Sequence, residues 1–457
     1  MTIQLPEDFL RRMKRMLGDR YESFIASYEE PRAYGLRLNT RKLTPQSQAF
    51  DHLRSLFQLE PVAWCPSGYY YDEDTKPGRH PYHAAGVYYI QEPSAMSAAE
   101  LLAAKPGDIV LDLAAAPGGK STQIADHLKG QGLLISNEIH PARAAALSEN
   151  IERMGIRNAV VTNAAPGQLA ERFPFFFDRI MVDAPCSGEG MFRKEPETVS
   201  EWSESQVAVC AARQQDILRD AVRMLKPGGT LAYSTCTFNE EENEKIIAWL
   251  TETHPELSLV QMERFWPHER RGEGHFVAVL RHAGTDDADE ADSGGITARR
   301  PKASGQSRKS LEEAMTLYES FAVSALAPSF TLPEGEPLLF GEQLYWLPTG
   351  SGMLNSAMLT GLKTPRPGLH LGTVRKNRFE PSHALALAIR REDALVSVDY
   401  AADSVEAAAY WRGETLSVPA DLKGWTLVTV DGFPLGWGKA SGGMLKNHYP
   451  KGLRRPN

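Results

Sequence analysis

Cysteine is scarce in this 457-residue chain: Cys65, Cys186, Cys210 and Cys236 lie far apart, with no Cys-x-x-Cys pair. That spacing excludes a disulfide framework and a structural zinc site, and it points to a reduced, cytoplasmic setting. The twelve histidines show no metal-ligand spacing, and His80 and His83 read as ordinary polar loop residues. Long apolar runs are also missing. No segment approaches the roughly 18 residues of a membrane span. The opening MTIQLPEDFLRRMKRML has no signal-peptide core and reads as a capped amphipathic helix. No internal repeat marks a solenoid. Positive charge is in deficit, with a net charge of −8, which opposes a polyanionic partner held over the whole surface. The deficit is uneven. An acidic run, DDADEAD, spans 286–292. Cations gather at Arg11, Arg12, Lys14 and Arg15, at Arg299, Arg300, Lys302, Arg308 and Lys309, and in the terminal KNHYPKGLRRPN.

A chain of this length divides into two or three domains. Residues 1–85 combine helical patterns with a strand in PRAYGLRLNT, an α+β extension. Residues 86–282 alternate helices with apolar strands (IVLDLA, GLLISNE, NAVVTNA, DRIMVDAP, GGTLAYST, HFVAVLR). That alternation predicts an α/β fold, a doubly wound, Rossmann-like sheet. Residues 283–309 are poor in large apolar side chains, rich in Gly, Ser and charge, and read as a flexible linker. Residues 310–457 begin with a helical segment, LEEAMTLYESFAV, and turn to short strands, a small α+β module ending in a β-barrel-like piece.

The chemistry sits at predicted strand ends. IVLDLAAAPGGKS runs from a strand into a turn of small residues, Ala114, Ala115, Ala116, Pro117, Gly118 and Gly119, and then Lys120 opens a helix. Small side chains let backbone approach a ligand, and the helix start offers unpaired N–H groups. Glu138 ends the next strand, where an acidic side chain can hold ribose hydroxyls, so the spacing describes a nucleoside cofactor across the strand tips. A loose phosphate-loop pattern competes and would make the chain a nucleotide hydrolase. Against it, Ala114 replaces the first glycine and Pro117 lacks a cradling N–H. Two further strands deliver Asp183-Ala-Pro-Cys186 and Ser234-Thr-Cys236 to the same edge. Two thiols there suggest covalent work, and spacing alone does not choose between them. A cation such as Lys120 is unfavourable at a helix start, which hints at a purpose. Beside a thiol it would lower the pKa or accept the proton. Asp183 serves either as a cap or as a carboxylate meeting the substrate and the cofactor's reacting end.

LDLAAAPGGKSTQIA, SNEIHPAR, MVDAPCSGEGMFRK, RQQDILRDAVRMLKPGGTLAYSTCTFNEEENE and GHFVAVL, in that order, resemble the Nol/Nop/Sun family of RNA cytosine-5 methyltransferases. LGTVRKNRFEPSHALALAI and GGMLKNHYPKGL are similar to the tail of its bacterial RsmF (YebU)-type ribosomal members. The resemblance implies S-adenosylmethionine as cofactor, with Ala114 to Lys120 around its methionine part, Glu138 on its ribose and Asp183 near its reacting end. It assigns Cys236 as the nucleophile and Cys186 to product release, through a covalent cysteine–cytosine adduct. Relatives often carry an acidic residue after the third strand for the adenine; here Asn163 or backbone takes that place. The implied partner is RNA, either small-subunit ribosomal RNA or the 30S subunit or, as the alternative, tRNA, and the chain is expected to act as a monomer away from membranes. A PUA-like C-terminal module would position RNA and be dispensable for cofactor binding. A base attacked by a buried thiol must leave its stack. Phe192 and Phe238, beside the two cysteines, are candidates to stack on it, or else core residues.

Overall fold

The computed structural model describes residues 4–284 and 308–455. Nearly all of the expected linker, with its acidic run and Arg299, Arg300 and Lys302, lies outside them. The first helix, Glu7–Leu17, has the expected amphipathic character and buries Phe9, Met13 and Leu17. Its start departs from expectation. Pro6 occupies the cap position and no side chain caps the helix; proline presets the entry angle but carries no acceptor side chain.

β1 (Gly35–Leu38), β2 (Glu60–Pro61), β3 (Gly68–Tyr70) and β4 (Tyr88–Ile90) form a small antiparallel sheet in the order β2-β3-β1-β4. β4 leads directly into the central sheet's territory, and residues 89–92 line the cleft described below.

The central sheet has seven strands: β5 (Ile109–Asp112), β6 (Leu133–Asn137), β7 (Ala159–Thr162), β8 (Phe177–Asp183), β9 (Leu225–Thr235), β10 (Leu257–Phe265) and β11 (His275–His282). Their order is β10-β11-β9-β8-β5-β6-β7. β5 to β9 are parallel, whereas β11 and β10 close the sheet antiparallel. The parallel strands read as continuous apolar runs because helices cover both faces. β10, LSLVQMERF, escaped the sequence reading: as an edge strand it leaves Leu259, Val260 and Met262 exposed, so it lacks a clean apolar period. Strand order reverses between β5 and β8, the position where ligands bind in open α/β sheets.

The C-terminal region carries two sheets. Helix Arg308–Ala325 packs on the meander of β12 (Gly335–Phe340), β13 (Gln343–Pro348), β14 (Leu369–Arg375) and β15 (Arg378–Pro381). β16 (Ser397–Tyr400), β17 (Leu416–Ser417), β18 (Gly424–Val430), β19 (Phe433–Ser441) and β20 (Met444–Asn447) form the last sheet, in the order β16-β18-β19-β20-β17. This region is no detachable tail. Residues 363–366 run along the free edge of β7, where the N–H groups of Val161 and Asn163 donate to the carbonyls of Arg366 and Lys363, each at 2.8 Å. Leu347, Leu354 and Leu359 join the apolar core of the central sheet, and burying each stabilises by roughly 1.5–3 kcal/mol. The central sheet is therefore packed against residues well beyond 282. Among the described residues, no helix is long and apolar enough to cross a membrane.

Candidate active site

A cleft of about 290 Å³ opens at the carboxyl ends of β5, β8 and β9, near the lower end of the range for ligand sites. Ala114, Ala115, Ala116, Pro117, Gly119 and Lys120 line one wall, and Asp183, Cys236 and His275 the other. Gly118 lies behind them as the cap of helix Gly119–His127, with φ of 113°, a conformation that glycine adopts without strain.

Lys120 is buried, and its Nζ lies 2.8 Å from Asp183 Oδ2. Ser234 Oγ donates to the other Asp183 oxygen at 2.8 Å. Burial alone would raise the Asp183 carboxyl, but the ammonium of Lys120, with His275 and Ser234, outweighs it and holds the pKa below its ordinary value. Asp183 is therefore a carboxylate, and Lys120, unfavourable at a helix start, has its partner here.

The two thiols meet. Cys186 Sγ and Cys236 Sγ are 3.2 Å apart, and the Cys236 N–H donates to Cys186 Sγ at 3.4 Å. The hydrogen bond that the Cys186 thiol donates to Cys236 Sγ, then burial, pushes the Cys186 thiol well above its ordinary range, so Cys186 holds its proton. The two face different spaces: Cys236 lines the cleft, whereas Cys186 lines an adjoining recess with Ser187, Gly188 and Met191.

Several residues that hold this arrangement were not singled out in the sequence. Glu242 accepts from the Ser187 N–H, from Gln214 and from Asn239, tying the DAPCSG turn to the STCTFN turn. Buried Glu189 accepts from Arg12, Trp202 and the Phe238 N–H, docking the first helix onto both turns. Both glutamates lie inside the quoted motifs, within a few residues of the cysteines, and that proximity was the available signal. His275 follows from register: β11 pairs Phe276 with Thr235, which sets His275 beside Cys236. It is buried, its Nε2 has no partner, and burial followed by Lys120 lowers its pKa to about 3.

Three expectations change. Phe192 and Phe238 do not face a base: they are 0% and 2% exposed, and Phe238 stacks on Trp266 in an aromatic core shared with Phe9 and Phe24. Glu138 stands at the end of β6, but its carboxylate accepts from the His140 N–H at 2.9 Å, faces Arg143 at 3.5 Å and does not line the cleft. The Asn163 amide is occupied by the Glu138 and Ile139 carbonyls, so it braces the tip of β6. His80 and His83 are structural, each pushed down, to about 4 and 3, by burial.

The cleft fits a nucleoside cofactor with a polar, cationic end. Its floor is built of alanines and glycine. Asp112, fully buried beneath it, binds Ser121 through one oxygen at 2.6 Å and leaves the other without a partner. Burial, opposed by Ser121, pushes the Asp112 carboxyl up to about 7.

Comparison with known proteins decides the family. Residues 99–281 match the 16S rRNA methyltransferase RsmB/F family and residues 5–93 the N-terminal domain of 16S rRNA methyltransferase RsmF. Residues 320–389 match the first C-terminal domain of that enzyme, and 397–455 its PUA domain. Ribosomal RNA small subunit methyltransferase F of Vibrio vulnificus is 31% identical over 99% of this chain and 98% of its own length; the protein of the same name from Vibrio campbellii is 30% identical over 99% and 98%. The chain belongs to the RsmF family. It is a methyltransferase with a Rossmann-like sheet and a C-terminal PUA-like module, and S-adenosylmethionine is its cofactor. A methyltransferase homologue from Pyrococcus horikoshii, 27% identical, superposes with a TM-score of 0.56 over 61% of this chain and 96% of its own. That overlap stops well short of the whole chain.

Proposed function

We propose that this RsmF-family chain methylates carbon 5 of cytosine in small-subunit ribosomal RNA through a covalent adduct. The observation that carries it is the thiol pair, 3.2 Å apart, beside the Lys120–Asp183 ion pair at the cofactor cleft. Carbon 5 of cytosine is a weak nucleophile. Cys236, the thiol that lines the cleft, forms a bond to carbon 6, and the ring's electrons shift so that carbon 5 becomes nucleophilic. When bound, S-adenosylmethionine supplies an electrophilic methyl group; Ala114 to Lys120 would hold it, with Asp112 beneath. As Cys236 adds, the proton it gives up passes to ring nitrogen 3, and Asp183, kept ionised by Lys120, accepts the hydrogen bond of that protonated edge. To finish, carbon 5 gives its proton to solvent water entering the cleft, the double bond re-forms, and the carbon–sulfur bond breaks with its electron pair on Cys236. Cys186, held as a thiol, donates a hydrogen bond to that departing sulfur. A base that reaches Cys236 must be unstacked, which favours loosely paired RNA.

The substrate rests on the names of relatives that match this chain end to end. Bisulfite sequencing of small-subunit ribosomal RNA, treated with the protein and S-adenosylmethionine, tests both. Resistant cytosines are expected. Methyl groups found on a ring nitrogen, an exocyclic amine or a ribose would overturn the reading.

A further inference from the structure

A larger cavity, about 440 Å³, lies at the opposite end of the central sheet. Its walls are the loops entering β6 and β7, the turn after β1, and segments 329–333 and 387–393 of the C-terminal region. Five cations line it, Arg41, Lys42, Lys129, Arg157 and Arg390, against one carboxylate, Asp393. The methylation chemistry uses none of them.

We propose that this recess binds a backbone phosphate of the RNA substrate, at a nucleotide remote from the target base; the proposal rests on RNA being the substrate. The recess is built rather than incidental. Gly155, with φ of 70°, lets the wall from 387 approach so closely that a Cβ there would lie 2.3 Å from the Leu387 carbonyl oxygen. Arg157 ties the walls together, donating to the Ala388 carbonyl at 2.6 Å and lying over the Phe330 ring. Arg41 is anchored by the Met154 carbonyl at 2.9 Å, and Lys42 Nζ by the Ala85 carbonyl at 2.6 Å. Lys129 and Arg390 stand exposed at the rim, with no ion-pair partner among the described residues. Arg41 faces Asp126 at 3.4 Å and Arg157 faces Asp393 at 3.7 Å, but five cations gathered against these two carboxylates still repel one another, and an anion relieves that repulsion.

RNA is the anion the rest of the molecule favours. The chain carries a net charge of −8, yet most affinity for RNA comes from neutralised phosphates. The catalytic cleft offers little for that purpose: Lys120 is committed to Asp183, and Lys194 lies 3.9 Å from Glu195. β6 has five residues, so the two ends of the sheet are about 17 Å apart along a strand. A phosphate in the recess thus belongs to a part of the RNA that never enters the cleft.

The test uses the full chain with Lys129→Glu and Arg390→Glu together, and a milder Lys129→Gln/Arg390→Gln pair in case charge reversal perturbs folding. Filter binding of purified small-subunit ribosomal RNA is measured across a salt series, alongside calorimetry with inorganic phosphate and with S-adenosylmethionine. The expected result is an RNA Kd raised on the order of tenfold, a log–log salt slope shallower by about 0.7–0.9 per lost phosphate contact, a raised KM with kcat unchanged, and unaltered cofactor affinity. An unchanged Kd and slope would overturn the proposal. So would tight phosphate binding that the variants abolish without moving the RNA Kd, since that identifies a site for a small free anion. If the unaltered chain binds no ribosomal RNA at all, the substrate reading itself has failed.

Discussion

At the carboxyl ends of β5, β8 and β9 the charges are matched, apart from the one unpartnered oxygen of Asp112. Lys120 meets Asp183, Asp183 also meets Ser234, and Glu242 and Glu189 are surrounded by donors. At the amino ends of β6 and β7 the cations outnumber the carboxylates, and two at the rim have no ion-pair partner among the described residues. One sheet thus carries two kinds of polar site. Covalent chemistry needs groups with one fixed position and protonation state, which matched charge and buried hydrogen bonds provide. Holding a polyanion needs charge left unmatched, because a cation already paired releases little when phosphate arrives.

Breaking the matched end should cost turnover without touching RNA affinity. Lys120→Met removes the partner of Asp183, and methyl transfer should fall by roughly 10²- to 10⁴-fold, the range for a lost group acting directly on the reacting centre. Single-turnover kinetics with filter binding in parallel checks this. A fall in RNA affinity with turnover intact would reverse the roles of the two ends.

Asp112 gives that end a pH signature. Its folded pKa, near 7, lies above the ordinary carboxylate value of 3.8. The native state therefore keeps a proton that the unfolded chain loses, and this contribution to stability falls as pH rises from about 4 to 7, then levels off. Asp183 acts oppositely: its folded pKa is depressed, so its contribution is present above 3.8 and lost as pH drops through the lowered value. Relative to the unaltered chain, Asp112→Asn should gain stability progressively across pH 4 to 7, at most about 1.4 kcal/mol per pH unit. Urea denaturation at several pH values measures the difference. A constant offset would show that Asp112 is ionised throughout.

How far these sites could be read in advance depended on how local each one is. The cofactor loop, the tips of β5 and β8, and both cysteines sit in short windows where small residues follow an apolar run, so strand period and turn chemistry located them. Glu189 and Phe238 did not yield, because what surrounds them is distant in sequence: Arg12 of the first helix, nearly 180 residues away, for Glu189, and Phe24 for Phe238. Phe238 beside a reactive thiol reads as a stacking platform until Phe24 and Trp266 are seen to enclose it. The recess was invisible for the same reason: its cations come from four stretches that are separate in sequence and individually look like solvated charge.

The edge of β7 sharpens the comparison more gently. Arg366 is 4% exposed and donates to the Ala159 and Ile156 carbonyls at 2.8 and 2.7 Å. Arg366→Ala leaves both unsatisfied and should cost roughly 1–3 kcal/mol for each such group, read as a lowered urea midpoint. If stability is unchanged, the C-terminal region does not brace the sheet, and a truncation near residue 283 becomes a fair catalytic fragment. The smallest effect belongs to Glu138→Gln. Its carboxylate braces His140 rather than lining the cleft, so calorimetry should show S-adenosylmethionine affinity reduced by about 0.5–1.5 kcal/mol. A larger loss would mean the side chain swings to the ribose on binding.

The central claim is that Cys236 attacks the base while Cys186 assists its release, and denaturing gels with labelled ribosomal RNA test it most directly. The Cys186→Ala protein should carry RNA through the gel as a covalent adduct, and the Cys236→Ala protein should carry none and form no methylated product. An adduct trapped on the Cys236→Ala protein, with none on the Cys186→Ala protein, would contradict the account.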